Sequence, residues 1–372
     1  MQSFQPTKTL MMGPGPSSVP SRVLEAMARP TIGHLDPSFI NLMDEIKVLL
    51  RFAFQTENRL TFPVSAPGSA GMEMCIVNLV EPGDKVIVCV NGVFGGRQKE
   101  NIERAGGIAI PVEDDWGCAV SAEKVRDAFA ANPDVKILSF VHAETSTGAL
   151  SDAKTLSAIA KEHGALVIAD TVTSLGGVPL KIDEWGIDAA YSGSQKCLSC
   201  PPGLSPVTFS ERAIETVKAR KSKVQSWFLD LPLIIAYWEG EGARAYHHTA
   251  PVNAMYALHE ALLMLKEEGL EAAFARHRDN HLRLKAGLEA LGFSFLAKTS
   301  ERLPQLNSVR LPARVNNEAA VRQALLKDHQ LEVGAGLGPL AGQIWRIGLM
   351  GHTADADNVD YCLQAITQEI GA

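Results

Sequence analysis

The stretch ALVIADTVTSLGGVPLKIDEWGIDAAYSGSQKC, residues 165–197, decides the fold. It opens with an aliphatic run ending in Asp170 and closes with a second apolar run, 188–193, followed by Lys196. Runs of this length, bounded by Gly and polar residues, read as buried strands. The same unit recurs outward from there. LTFPVS (60–65), KVIVCVN (85–91), GIAIPV (107–112), VKILSFVHA (135–143) and SPVTFS (205–210) are further strand candidates, with helical periodicity at 69–80, 94–105, 121–131, 152–163 and 211–221. Strands alternating with helices predict an α/β fold with a mostly parallel central sheet flanked by helices. After residue 253 the pattern changes. A long helical stretch, 253–291, is broken at Gly269, and short strands (305–311, 343–348) and helices (317–328, 355–370) follow. The expected division is an N-terminal arm over 1–20, a large domain over 21–268 and a smaller C-terminal α+β domain over 269–372. Gly13-Pro14-Gly15-Pro16 makes the arm extended rather than helical.

Composition narrows the function classes. The 372 residues carry 35 basic and 42 acidic side chains, a net charge of −7, so there is no electrostatic footprint for nucleic acid or anionic lipid. A hydrophobic fraction of 46% is enough for a sizeable core. No apolar run approaches the length of a membrane span. The N-terminus lacks a basic segment followed by an apolar one, so the expected compartment is the cytoplasm. Six scattered cysteines fit reduced core thiols, and the lone Cys197-x-x-Cys200 lacks the two further ligands that a zinc site needs. No metal is expected.

The chemistry-bearing residues stand at strand ends. Asp170 lies where open α/β sheets place ligands, although a cap would also suit it. Lys196 follows the next strand, as a loop charge or as a reactive amine. Together, an amine able to form a Schiff base and a carboxylate for a pyridinium nitrogen are what pyridoxal phosphate requires. Val64-Ser-Ala-Pro-Gly-Ser-Ala-Gly-Met-Glu joins a strand to a helix, which makes either an anion site or a simple N-cap. Phe94 in VNGVFGGR could lie over a planar ring or in the core. Thr145 in HAETSTG offers a hydroxyl or a cap. Arg346 in WRIGLMG offers a carboxylate fork or an ordinary ion pair. Tyr246 and Thr249 belong to a polar cluster, AYHHTAP, with two histidines.

These motifs, with GHLDPSF (33–39), EPGDKV (81–86), ADTVTSLGGVPL (169–180) and YSGSQKCLSCPPG (191–203), give the chain a resemblance to a known family. It resembles the class V aminotransferases of the fold type I pyridoxal-phosphate superfamily, in the alanine–glyoxylate and serine–glyoxylate branch. The resemblance implies transamination of a small amino acid, alanine or serine, with glyoxylate. It implies that Lys196 is the Schiff-base lysine and proton shuttle and that Asp170 pairs with the ring nitrogen. Val172 and Phe94 would cover the two ring faces, and Thr145 would sit near the ring oxygen. Gly68, Ser69 and Gln195 would hold the phosphate. Tyr246 and Thr249 would reach the phosphate of the neighbouring subunit of a homodimer. Arg346 would bind the substrate carboxylate, with Thr145 and Gly15 beside it, and the arm would cross to the partner.

One departure concerns the phosphate turn. The family usually has Ser-Gly-Ser/Thr-Gly where this chain has Ser65-Ala66-Pro67-Gly68, and Pro67 has no N–H to donate. Two alternatives stay open. A ureidoglycine–glyoxylate aminotransferase shares GPLAG-x-IWRIG-x-MG and QKCLS, but that subgroup tends to carry Gln at the position of His34 and Asn at that of Tyr246. A cysteine desulfurase or lyase on this fold usually has His before the lysine, where this chain has Gln195.

Overall fold

The computed structural model describes residues 1–239 and 244–371. The central sheet has seven strands: β1 (Leu60–Val64), β2 (Lys85–Val90), β3 (Ile108–Glu113), β4 (Ile137–Val141), β5 (Leu166–Asp170), β6 (Ala189–Tyr191) and β7 (Ser205–Phe209). Their order is β3-β2-β4-β5-β6-β7-β1. β3, β2, β4, β5 and β6 are parallel, and β7 runs antiparallel to both of its neighbours. β1, β4, β5 and β7 are buried along their whole length, as strands covered on both faces must be. The loop from β6 to β7 holds no helix. It turns the chain straight back, which is why β7 is antiparallel, and it carries Lys196. Between β2 and β4 the connections leave in opposite directions, and such a reversal opens a crevice at the carboxyl ends of the strands.

The strand and helix expectations hold within a few residues, with physical reasons for the differences. The strand expected over 135–143 ends at Val141. The His142 N–H turns to the Asp170 carbonyl, and the chain enters a small hairpin, Ala143–Glu144 with Ala149–Leu150. The expected break at Gly269 separates helices Val252–Glu268 and Leu270–Ala290; Gly269 has φ +83°, a conformation that side chains disfavour. Helices Ser21–Met27, Pro37–Phe54 and Leu231–Glu239 were not anticipated.

The second sheet is antiparallel, with strands β8 (Ser294–Phe295), β9 (Leu306–Arg310), β10 (Gly334–Ala335) and β11 (Ile344–Gly348) in the order β8-β9-β11-β10. In β11, Trp345 and Ile347 point into a small separate core, so pleat alternation sends Arg346 to the opposite face. The change between cores falls inside helix Leu270–Ala290. Leu270, Ala273 and Phe274 pack with the large core, whereas Leu284 and Leu288 pack with the small one.

Residues 1–8 are exposed. From Leu10 onward the arm lies on its own chain. Leu10–Met11 pairs in parallel with Leu331–Glu332, and Met12 is buried in the small core. The Gly348 N–H donates to the Met12 carbonyl at 2.7 Å, and the Ser17 N–H donates to the Gln195 carbonyl at 2.9 Å. The arm therefore ties the small domain to the lysine loop. A Cβ on Gly348 would overlap the Gly13 carbonyl. Gly348→Val is expected to lift the arm, to cost about 1–3 kcal/mol in a urea titration and to speed limited proteolysis within residues 9–18.

Candidate active site

Asp170 ends β5 and is almost fully buried. Its Oδ1 accepts the Val172 N–H at 2.9 Å, and its Oδ2 accepts the Tyr191 hydroxyl at 2.9 Å. Asp170 and Tyr191 are register partners on adjacent parallel strands. The Tyr191 oxygen in turn accepts from the Gln98 amide at 3.0 Å. Burial pushes the carboxyl up to about 7, against the pull of these two donors.

Lys196 stands across from Asp170 and is buried to 8% exposure. Its Nζ donates to the Pro14 carbonyl of the arm. Ser17 fixes the loop from below, its hydroxyl donating to the Lys196 carbonyl at 2.8 Å. Burial, assisted by the Arg346 cation, pushes the amine down to about 8. Gly15 has φ +97°, and a Cβ there would run into the Lys196 side chain, so this contact requires glycine.

Arg346 comes over the cleft from β11. Its Nε donates to the Ala335 carbonyl at 2.7 Å and an Nη donates to the Thr145 carbonyl at 3.3 Å. Burial pushes the guanidinium down to about 10. Among the described residues no carboxylate forms an ion pair with it. Phe94 opens the first turn of helix Val93–Arg104, and Arg97 lies over its ring at 4.9 Å from the centroid.

The opposite end of the cleft is the start of helix Gly68–Leu79, whose N-cap, Pro67, supplies no capping side chain. The first-turn N–H groups of a helix have no internal partners and favour an anion. Ser65 in the preceding turn shares a 2.7 Å hydrogen bond with His248 Nε2, and His248 lies 2.8 Å from His247 through their Nδ1 atoms. Burial, with His247 and His34 nearby, pushes His248 down to about 4, so this ring is neutral at pH 7. Tyr246 and Thr249 lie outside the cavity of their own chain. They are exposed, with their hydroxyl oxygens 3.3 Å apart.

The cavity enclosed by these elements measures about 220 Å³. Of the residues singled out in the sequence, it brings together Gly68, Ser69, Phe94, Thr145, Asp170, Val172, Gln195 and Lys196, with Arg346 joined through Thr145. Gln98, Tyr191, Arg97, Glu144 and the Pro14 carbonyl were missed. Among the described residues no cluster of three or more His, Cys, Asp or Glu is placed to hold a metal ion. No helix of the structure is long and apolar enough to cross a membrane. The Cys197 and Cys200 thiols are buried, which pushes both up to about 12.

The donor set fits pyridoxal phosphate. It has an acid for a ring nitrogen, an amine for an aldehyde carbon and a helix start for a phosphate. The buried Gln195 Oε1 has no partner, and turning this amide end for end would offer an N–H to an anion at the cavity wall.

Such a constellation on a mostly parallel sheet defines a fold type I pyridoxal-phosphate enzyme. The aminotransferase class-V family profile matches residues 11–359, and the chain belongs to that family. The alanine–glyoxylate aminotransferase of Drosophila melanogaster is 39% identical, over 99% of this chain and 93% of its own length. The (S)-ureidoglycine–glyoxylate transaminase of Bacillus subtilis is 36% identical, over 97% of this chain and 90% of its own. The crystal structure of an alanine–glyoxylate aminotransferase from Nostoc sp. superposes with a TM-score of 0.96 at 46% identity, covering 100% of this chain and 97% of that one.

The Asp170 carboxyl predicts a stability signature for the cofactor-free protein. Its folded value, about 7, lies above the ordinary 3.8, so the stability it contributes is complete below about pH 4 and is lost as pH rises through 7. Asp170→Asn should therefore stabilise the cofactor-free protein at pH 8 by about 2–4 kcal/mol. It should give no gain at pH 4, as followed by thermal unfolding at both pH values.

Proposed function

We propose that the protein transaminates a small amino acid, alanine or serine, with glyoxylate, giving glycine and pyruvate or hydroxypyruvate. The observation that carries this reading is Arg346. It is a buried guanidinium with no carboxylate partner among the described residues, and it is hydrogen-bonded to the carbonyl of Thr145, which lines one small cleft with the Lys196 amine and the Asp170 acid. Such a group suits the α-carboxylate common to donor and acceptor. When bound, pyridoxal phosphate supplies an electron sink for the bond broken at the substrate Cα. Asp170 would pair with the ring nitrogen and hold a proton there. Lys196 Nζ would receive the cofactor and would serve as the base that takes the substrate Cα proton and the acid that gives it back. An amine held near 8 is matched to that exchange at neutral pH. Phe94 and Val172 would cover the ring faces, and Thr145 would stand at the ring oxygen. Gly68, Ser69 and Gln195 would hold the phosphate, and Gly15 would lie on the substrate side.

Tyr246 and Thr249 are assigned to the phosphate of a partner subunit, in a homodimer working in the cytoplasm. Their exposure outside their own cavity supports that assignment. A second reading takes (S)-ureidoglycine as the donor, favoured by the likeness to the Bacillus enzyme. His34 and Tyr246, the two positions that depart from that subgroup, lie together with ring centroids 5.5 Å apart.

Alanine, serine and (S)-ureidoglycine assayed with glyoxylate separate the two readings. Highest kcat/KM with alanine or serine is the expected result, and ureidoglycine leading by more than about tenfold would replace it. Lys196→Ala should abolish turnover with every donor. Arg346→Lys, which loses the planar fork, should lower kcat/KM for glyoxylate about 100-fold.

A further inference from the structure

Helix Val93–Arg104 begins at Gly92, which has no side chain with which to cap it. The missing acceptor comes from a different part of the chain. Glu144, wholly buried in the turn after β4, accepts the Phe94 N–H on Oε2 at 3.1 Å. Its other oxygen accepts the Ser146 N–H at 3.0 Å and the Ser146 hydroxyl at 2.5 Å. The Ser146 oxygen accepts the Val93 N–H at 3.0 Å, so two turns remote in sequence are locked together. There is no slack between them, because a Cβ on Gly92 would overlap both Ser146 and the Glu144 carboxylate. Burial pushes Glu144 up, but each of these partners donates to it, which favours the ionised form. An anion at a helix N-terminus is also favoured by the helix dipole.

We infer that Glu144 is a positioning residue: it caps in trans the helix that presents Phe94 to the cofactor. This rests on the proposed stacking role of Phe94. Nothing in the sequence context of Phe94 supplies such a cap, since Gly92, Gly95 and Gly96 surround it. A charged acceptor from a neighbouring strand end therefore fixes the ring while leaving the turn free of bulk. Removing the carboxylate frees the first turn of the helix. Replacing it by an amide keeps an acceptor oxygen for Phe94 but removes the charge and turns the oxygen that accepts from Ser146 into a donor.

The test is a binding experiment. Pyridoxal phosphate is titrated, by fluorescence quenching, into cofactor-free wild type, Glu144→Ala, Glu144→Gln, Phe94→Ala and the double variant Glu144→Ala/Phe94→Ala. Glu144→Ala is expected to weaken cofactor binding about tenfold or more, Glu144→Gln by less than Glu144→Ala because one acceptor oxygen remains, and Glu144→Ala added to Phe94→Ala by less than about threefold. An equal loss for Glu144→Ala in both backgrounds, or no loss at all, would overturn the proposal. If Phe94→Ala alone leaves binding unchanged, the stacking role itself fails instead.

Discussion

Four ionisable groups are buried together: Asp170 and Lys196 line the cleft, and Glu144 and Arg346 lie behind its wall, Glu144 next to Thr145 in sequence and Arg346 on the Thr145 carbonyl. Buried charge is costly unless it is hydrogen-bonded or paired. This chain meets the requirement without pairing these groups to one another: among the described residues none of the four belongs to a salt bridge. Asp170 is held by a backbone N–H and a tyrosine hydroxyl, and Glu144 by backbone N–H groups and a serine. Lys196 is held by a proline carbonyl, and Arg346 by two backbone carbonyls. Backbone and hydroxyl dipoles hold these groups without an ion pair, and burial still raises the Asp170 carboxyl to about 7.

The fold exists to make that arrangement rigid. β5 and β6 set Asp170 beside Tyr191 by register, and the return loop to β7 delivers Lys196 to the same edge of the sheet. The reversal between β2 and β4 opens the crevice in which the turns carrying Phe94 and Thr145 meet. The small domain contributes Arg346 on the face of β11 opposite its core, and the arm joins that domain to the lysine loop through Met12 and Ser17. A shift of the small domain would therefore be felt at both Arg346 and Lys196.

How much of this was legible in the sequence depended on the kind of group. Asp170 and Lys196 could be read because each comes at or just past the end of a short apolar strand, on the edge where open α/β sheets place ligands. The parallel sheet could be read from its repeated short aliphatic runs, and the break at Gly269 from the glycine itself. Pro14 could not be read as the partner of Lys196, because a backbone carbonyl leaves no mark in the side-chain pattern. Gln98 sits among Arg97, Lys99 and Glu100, so nothing in its local pattern marks it as buried, yet it is buried against Tyr191. Glu144 stood inside HAETSTG, where the adjacent Thr145 drew the assignment; an acid among small residues at a strand end was the signal available. The arm was legible as extended, but its docking was not. The pairing of Leu10 with Leu331 joins opposite ends of the chain, and local pattern carries no information about such a contact.

The account turns on Lys196 as the amine that receives the cofactor, in the cleft where Asp170 and Arg346 converge. The most direct measurement is to load the protein with pyridoxal phosphate, reduce it with borohydride and locate the added mass by peptide mapping. The account predicts one modified residue per chain, Lys196, with the label lost in Lys196→Ala. Stoichiometric label on another lysine, with Lys196 unmodified, would contradict it.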